Sequence, residues 1–202
     1  MKNTHIIPGS VSNLLDAYSY ATDEQVNDGR GWYPLANTIA SQLGNGNTYK
    51  GAGIIAALSP SCPWPANISD AWQLVERDSV HFQSGFNERR ARRIRDADFL
   101  SYQAEYEFSK KTCRKVRAFY QSIIDPTHTR TEYICIDTHA ANAYAGRRVS
   151  GKEKTQLDNV DVRERIQAAY AEAAELSDET LADFQAIVWL VARGIDWQIN
   201  HR

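Results

Sequence analysis

Residues 131–148 read TEYICIDTHAANAYAGRR, and the rest of the chain is best read outward from them. A short apolar run, Tyr133 to Ile136, meets a lone acid, Asp137. Thr138, His139 and an alanine-rich segment follow, and the segment stops at Gly146. An acid just before such a segment suits an N-cap, accepting hydrogen bonds from unpaired N–H groups of the first helical turn. A glycine just past the end suits the left-handed position that closes a helix, and Arg147 and Arg148 suit the negative end of its dipole. The stretch therefore predicts a buried segment that delivers Asp137 to the mouth of a short helix. A carboxylate held there is fixed in direction and can serve as a plain cap or as a catalytic anion.

The flanking sequence is helical throughout. On the C-terminal side, VRERIQAAYAEAAEL and then SDETLADFQAIVWLVARG predict two helices. Ser177 and Thr180 form an imperfect capping box for the second, with Asp178 and Glu179 at its positive end. Leu181, Phe184, Val188 and Val191 line one face, and Ile187 and Trp189 broaden it, so that helix should be mostly buried. On the N-terminal side, residues 10–43 read as two helices, the first capped by Ser12 or Asn13 and the second starting near Pro34. Gly44 to Asn47 is a break without the strand-before and lysine-after context of a phosphate loop. The apolar run Gly51–Leu58 predicts a buried helix that ends where Pro60 restricts Ser59. A stiff loop, Ser59–Pro65, leads into a helix bearing Ile68, Trp72 and Val75. Val116, Phe119, Tyr120 and Ile123 form another apolar stripe at helical spacing. Alternating patterns are rare and there is no internal repeat, so the fold class is all-α.

At 202 residues the chain is long enough for one domain with a real core, or for two lobes around a cleft. Its 43% hydrophobic and 24% charged residues are ordinary for a globular protein. No apolar run approaches the ~20 residues needed to span a bilayer, and the opening MKNTHIIPGSVSN lacks a signal-peptide core. A cytoplasmic protein without membrane partners is expected. Cys62, Cys113 and Cys135 are scattered, and no Cys/His pair has ligand spacing, so neither a disulfide frame nor a metal or other cofactor is expected.

The net charge of −2 conceals an asymmetry. Arg89–Arg117 holds ten Lys/Arg against four acids, a local charge of +6, whereas Thr155–Gln185 holds eight acids against two arginines. The basic section can contact a polyanion through Arg89, Arg90, Arg92, Arg93, Lys110, Lys111, Arg114 and Arg117. The alternative is a solvated helix face whose charges pair with that acidic section. Lys115 stands among these cations, and crowding of that kind makes an amine easier to deprotonate and more useful as a nucleophile. The Ser61–Trp64 loop could be a rigid wedge, or Trp64 could simply pack over a helix pair.

Two of these stretches together resemble the helix-hairpin-helix DNA glycosylase superfamily, in particular its endonuclease III-like group. Ala57-Leu58-Ser59-Pro60-Ser61, with Asn67 downstream, resembles the "LLSxQ" helix end of that family and the asparagine-bearing helix after it. Ile136-Asp137-Thr138-His139 resembles its "VDTHxxR" element, and Phe108-Ser109-Lys110 through Arg114-Lys115 resembles a hairpin leading to its lysine position. Order and approximate spacing agree over residues 51–146. Ser109–Cys113 has no glycine, Ser61 stands at the glutamine position, and the iron–sulfur cysteines of many members are absent. The chain also resembles phage-encoded proteins sharing "AALSP…W", "KVRAFY" and "DxHA" elements.

The resemblance implies a single domain over residues 1–202 with a two-lobed helical HhH-GPD-like fold and a central cleft, the glycosylase-like core being about 51–146. It implies a monomeric DNA glycosylase that acts on double-stranded DNA and removes a flipped-out, modified base, in an antiviral setting. Asp137 would be the catalytic acid and Lys115 a Schiff-base amine giving lyase activity. Ser61, Trp64, Asn67, His139 and the basic residues named above would contact DNA, with Trp32, Tyr33, Trp64 and Trp189 as candidate stacking partners. Two rivals remain: an enzyme that builds altered phage bases on the same fold, and a DNA-binding module that has lost its chemistry.

Overall fold

The computed structural model describes residues 7–82, 85–97, 100–109 and 113–194. Among them the regular structure is helical, in accord with the all-α reading. The chain divides into two compact units: residues 1–33 with 127–202, and residues 34–126.

The first unit contains α1 (Val11–Ser19), α8 (Thr138–Ala145), α9 (Gly151–Lys154), α10 (Val160–Leu176) and α11 (Leu181–Gly194). It also holds the opening turns of α2 (Asp23–Leu43), a helix divided between the units at Pro34. The short helix α8 packs against α1, α10 and α11. Its alanines make this possible, because Ala140, Ala141 and Ala143 are fully buried and let three neighbours approach. Around them lie Leu14, Ile136, Tyr144, Ile166, Tyr170, Phe184 and Val188, the core of this unit.

Helix α8 is tied at both ends. Asp137 caps the start, as its position in the sequence predicts, and Gly146 closes the end with φ of 64°. Beyond the cap, the Tyr144 carbonyl accepts from the Ser10 N–H (3.1 Å) and the Asn13 amide (2.9 Å). Asn13 is thus a tether for α8. The α1 cap is Ser10, which accepts from the Asn13 N–H, rather than Ser12 or Asn13 as expected from the sequence.

Helix α2 also departs from expectation, beginning at Asp23 and running through Pro34. Thr22 and Gln25 form a reciprocal cap, each side chain accepting the other's N–H (3.2 and 3.0 Å). A Cβ on Gly29 would lie 2.4 Å from the Ile187 side chain, so α2 and α11 touch there almost backbone to backbone. The α11 cap is Thr180, which accepts from the Asp183 N–H and donates to its carboxylate. Ser177, the predicted cap, instead ends α10.

In the second unit α3 (Thr48–Leu58) is central, with α4 (Trp64–Arg77), α5 (Gly85–Asp96), α6 (Leu100–Phe108) and α7 (Arg114–Ile124) packed on it. Every residue of α3 from Gly51 to Leu58 is buried, as its unbroken apolar run predicts. Leu74, Ile94, Phe108, Tyr120 and Ile123 complete this core. The buried face of α4 is Asn67, Asp70, Ala71 and Leu74, while Ile68, Trp72 and Val75 are half-buried at its border. No described helix is long and apolar enough to cross a membrane.

Candidate active site

Asp137 stands where a buried segment, Ile134 to Ile136, turns into α8. Two side chains of α10 hold that segment: Arg163 donates to the Ile136 carbonyl (3.2 Å) and Gln167 to the Ile134 carbonyl (3.4 Å). The Asp137 side chain is half-buried. Its Oδ1 accepts the Ala140 N–H at 2.9 Å, and its Oδ2 accepts the Trp189 indole N–H at 3.1 Å. The first bond is the helix cap. The second reaches in from α11, 52 residues away in sequence.

Other side chains gather on the Trp189 ring that meets this carboxylate. Trp189 lies 5.3 Å from Trp32 in a tilted pair and 6.3 Å from His139 edge to face, and the Arg193 guanidinium sits 4.6 Å above its ring. The close crossing at Gly29 positions Trp32, one turn further along α2, against Trp189. The His139 Nδ1 is buried and has no hydrogen-bond partner among the described residues. Beneath them Tyr170 donates to the Ala140 carbonyl at 3.3 Å. Burial, reinforced by the Asp137 charge, holds its phenol well above the ordinary range, so it stays protonated. Tyr33 is buried and donates to Gln185 at 2.6 Å. Chemically, the arrangement offers an aimed carboxylate beside flat aromatic surfaces.

Asp137, His139 and the stacking candidates Trp32, Tyr33 and Trp189 are therefore the sequence-predicted residues that share the first unit. The others belong to the second. Ser61 is exposed in the α3–α4 loop, with φ of 59°, a strained setting for a residue with a side chain. Trp64 opens α4 and lies edge to face on Phe119 at 6.4 Å, so it packs over the α4–α7 pair. Asn67 is 1% exposed, and its side-chain oxygen has no hydrogen-bond partner among the described residues.

The arginines of α5 form a largely internal network. Arg90 is buried, stacked on Phe86 and Phe108, and donates to the Cys113 sulfur at 3.2 Å. Arg92 bonds Glu88 and Asp78, Arg93 grips Glu107 with two bonds of 2.6 and 2.8 Å, and Arg95 bonds Asp78 and Asp96. Arg89 is exposed. On α7, Lys115 and Arg117 are exposed and Arg114 is half-buried, whereas Lys110 and Lys111 lie outside the described residues. Among the described residues no three His, Cys, Asp or Glu side chains converge to hold a metal ion.

Trp32 and Trp189 are among the stacking candidates named from the sequence, whereas Arg163, Gln167 and Arg193 gave no signal there. The i, i+4 spacing of Arg163 and Gln167 on the inward face of α10 is the one pattern that could have marked them.

With this geometry in view, the comparison with known proteins adds one assignment. The chain belongs to the family of unknown function DUF7178, whose model matches residues 3–196. No curated protein and no solved structure matches it.

Proposed function

We propose that this protein is a DNA glycosylase with a divergent helix-hairpin-helix glycosylase fold, cleaving the N-glycosidic bond of a modified base in double-stranded DNA. The observation that carries the reading is the Asp137 carboxylate, half-buried at the mouth of α8 and bonded through Oδ1 to the Ala140 amide. It sits in an Ile136-Asp137-Thr138-His139 element that resembles the catalytic element of that superfamily.

The base would leave with the C1′–N bonding pair, and positive charge would develop on the deoxyribose. Asp137 would stabilise that charge and orient the water that adds to C1′, the proton that water releases ending on the departing base. A base inside a duplex is out of reach, so the nucleotide must be flipped out of the stack. Trp32 and His139, packed on the Trp189 ring that bonds the acid, supply surfaces on which an extruded base can rest. Exposed Arg89, Lys115 and Arg117 supply phosphate contacts. Lys115 as a Schiff-base amine, action as a monomer, and a cytoplasmic antiviral role belong to the same proposal.

The test is incubation with duplexes carrying ordinary bases, uracil, or glucosylated hydroxymethylcytosine. Abasic sites on one of them that vanish in Asp137→Asn support excision. Binding with no abasic sites on any substrate contradicts it and favours a non-catalytic DNA-binding role; addition of a group to the DNA favours base modification. Borohydride trapping that is lost in Lys115→Ala tests the lyase step separately.

A further inference from the structure

We infer that Trp189 is a positioning residue for the Asp137 carboxylate, an inference that rests on the glycosylase reading above. The cap bond to the Ala140 N–H holds one oxygen and is available to any aspartate at a helix start. It does not by itself fix the carboxylate plane, because the terminal torsion of aspartate is broad. The second donor does so. The Trp189 indole N–H lies 3.1 Å from Oδ2 and comes from a different helix, so the plane is set by two points on separate elements.

Trp189 is itself well fixed. Trp32 packs on it at 5.3 Å, the His139 ring meets it at 6.3 Å, and the Arg193 guanidinium lies 4.6 Å over its ring. A cation over the ring draws electron density from the indole and makes its N–H a better donor. An indole nitrogen donates only, so its one polar function is committed to the carboxylate. A residue required only for packing would need the ring and not the N–H. Trp189 is half-buried on a helix most of whose apolar positions are buried.

Trp189→Phe separates the two roles, since it retains an aromatic ring under Arg193 and removes the donor. On the substrate that wild-type protein excises, the single-turnover rate is expected to fall about 10–100-fold with KM changed by less than about threefold. The melting temperature should move by only a few degrees. A second arm does not depend on catalysis. The Trp189 indole proton resonance, assigned by its disappearance in Trp189→Phe, should shift in Asp137→Asn. An unchanged rate in Trp189→Phe, or a raised KM at unchanged rate, overturns the inference. If wild-type protein excises no base from any DNA, the glycosylase reading fails; the resonance arm then decides alone, a shift supporting the held carboxylate and no shift overturning it.

Discussion

Gly29 of α2 faces Ile187 of α11 with no room for a Cβ between them, which would come within 2.9 Å of the Ile187 Cα. Trp32 lies one turn further along α2, and Trp189 lies two residues beyond Ile187, so this contact assembles the aromatic pair beside Asp137. Gly29→Ala is expected to push the two helices apart and to destabilise the protein by about 1–3 kcal/mol. Thermal unfolding measures the loss, and near-ultraviolet circular dichroism should lose intensity from the Trp32–Trp189 pair.

The arginines divide into two groups by their neighbours. Arg92 and Arg93 are occupied by Asp78, Glu88 and Glu107, whereas Arg89 and Arg117 are exposed. Replacing Arg89 or Arg117 by alanine should weaken DNA binding and reduce the slope of log K against log salt by about 0.9 each. Replacing Arg93 should leave that slope nearly unchanged and lower stability instead, because the Glu107 carboxylate, 8% exposed, loses a two-bond partner. Titrations at several salt concentrations, with melting curves alongside, distinguish the two groups.

Acid sensitivity has an identifiable source in the turn after α8. The Arg147 guanidinium, helped by the Ser150 N–H and hydroxyl and opposed by burial, holds the Glu153 carboxyl down to about 2 from an ordinary 4.5. A carboxyl depressed on folding stabilises the native state above its unfolded value, and that contribution is lost as protons bind. The protein should therefore lose about 1–2 kcal/mol between pH 4.5 and about 2 from this group, solvent screening reducing the full shift. In Glu153→Gln this part of the acid limb should disappear from a plot of unfolding free energy against pH.

Much of this architecture was legible in the sequence wherever a local rule decides. Asp137 and Gly146 bracket α8 because cap chemistry is read within a few residues. The Gly51–Leu58 run is buried on every side, and Leu181, Phe184, Val188 and Val191 face inward, because periodicity and burial agree there. What failed was set by distant partners. Helix α2 runs through Pro34, which a helix-breaking rule does not anticipate. Ser10 and Thr180 displaced the expected caps by one helical turn or less, a shift that sequence patterns do not resolve. The α5 arginines found acids of their own unit at Asp78 and Glu107, and the bond between Trp189 and Asp137 joins positions 52 apart. Neither leaves a trace in local spacing.

The most direct test of the central claim is the rate of abasic-site formation by Asp137→Asn on the DNA that wild-type protein excises. Asparagine caps a helix as well as aspartate, so the fold should be retained with only a modest drop in melting temperature from the lost Trp189 bond. Removing a unit charge about 4 Å from the developing cation is worth about 4 kcal/mol at an effective dielectric of ~20, or about 10³-fold in rate. The account predicts a loss of that order with DNA binding preserved. A variant that cleaves at the wild-type rate would contradict it.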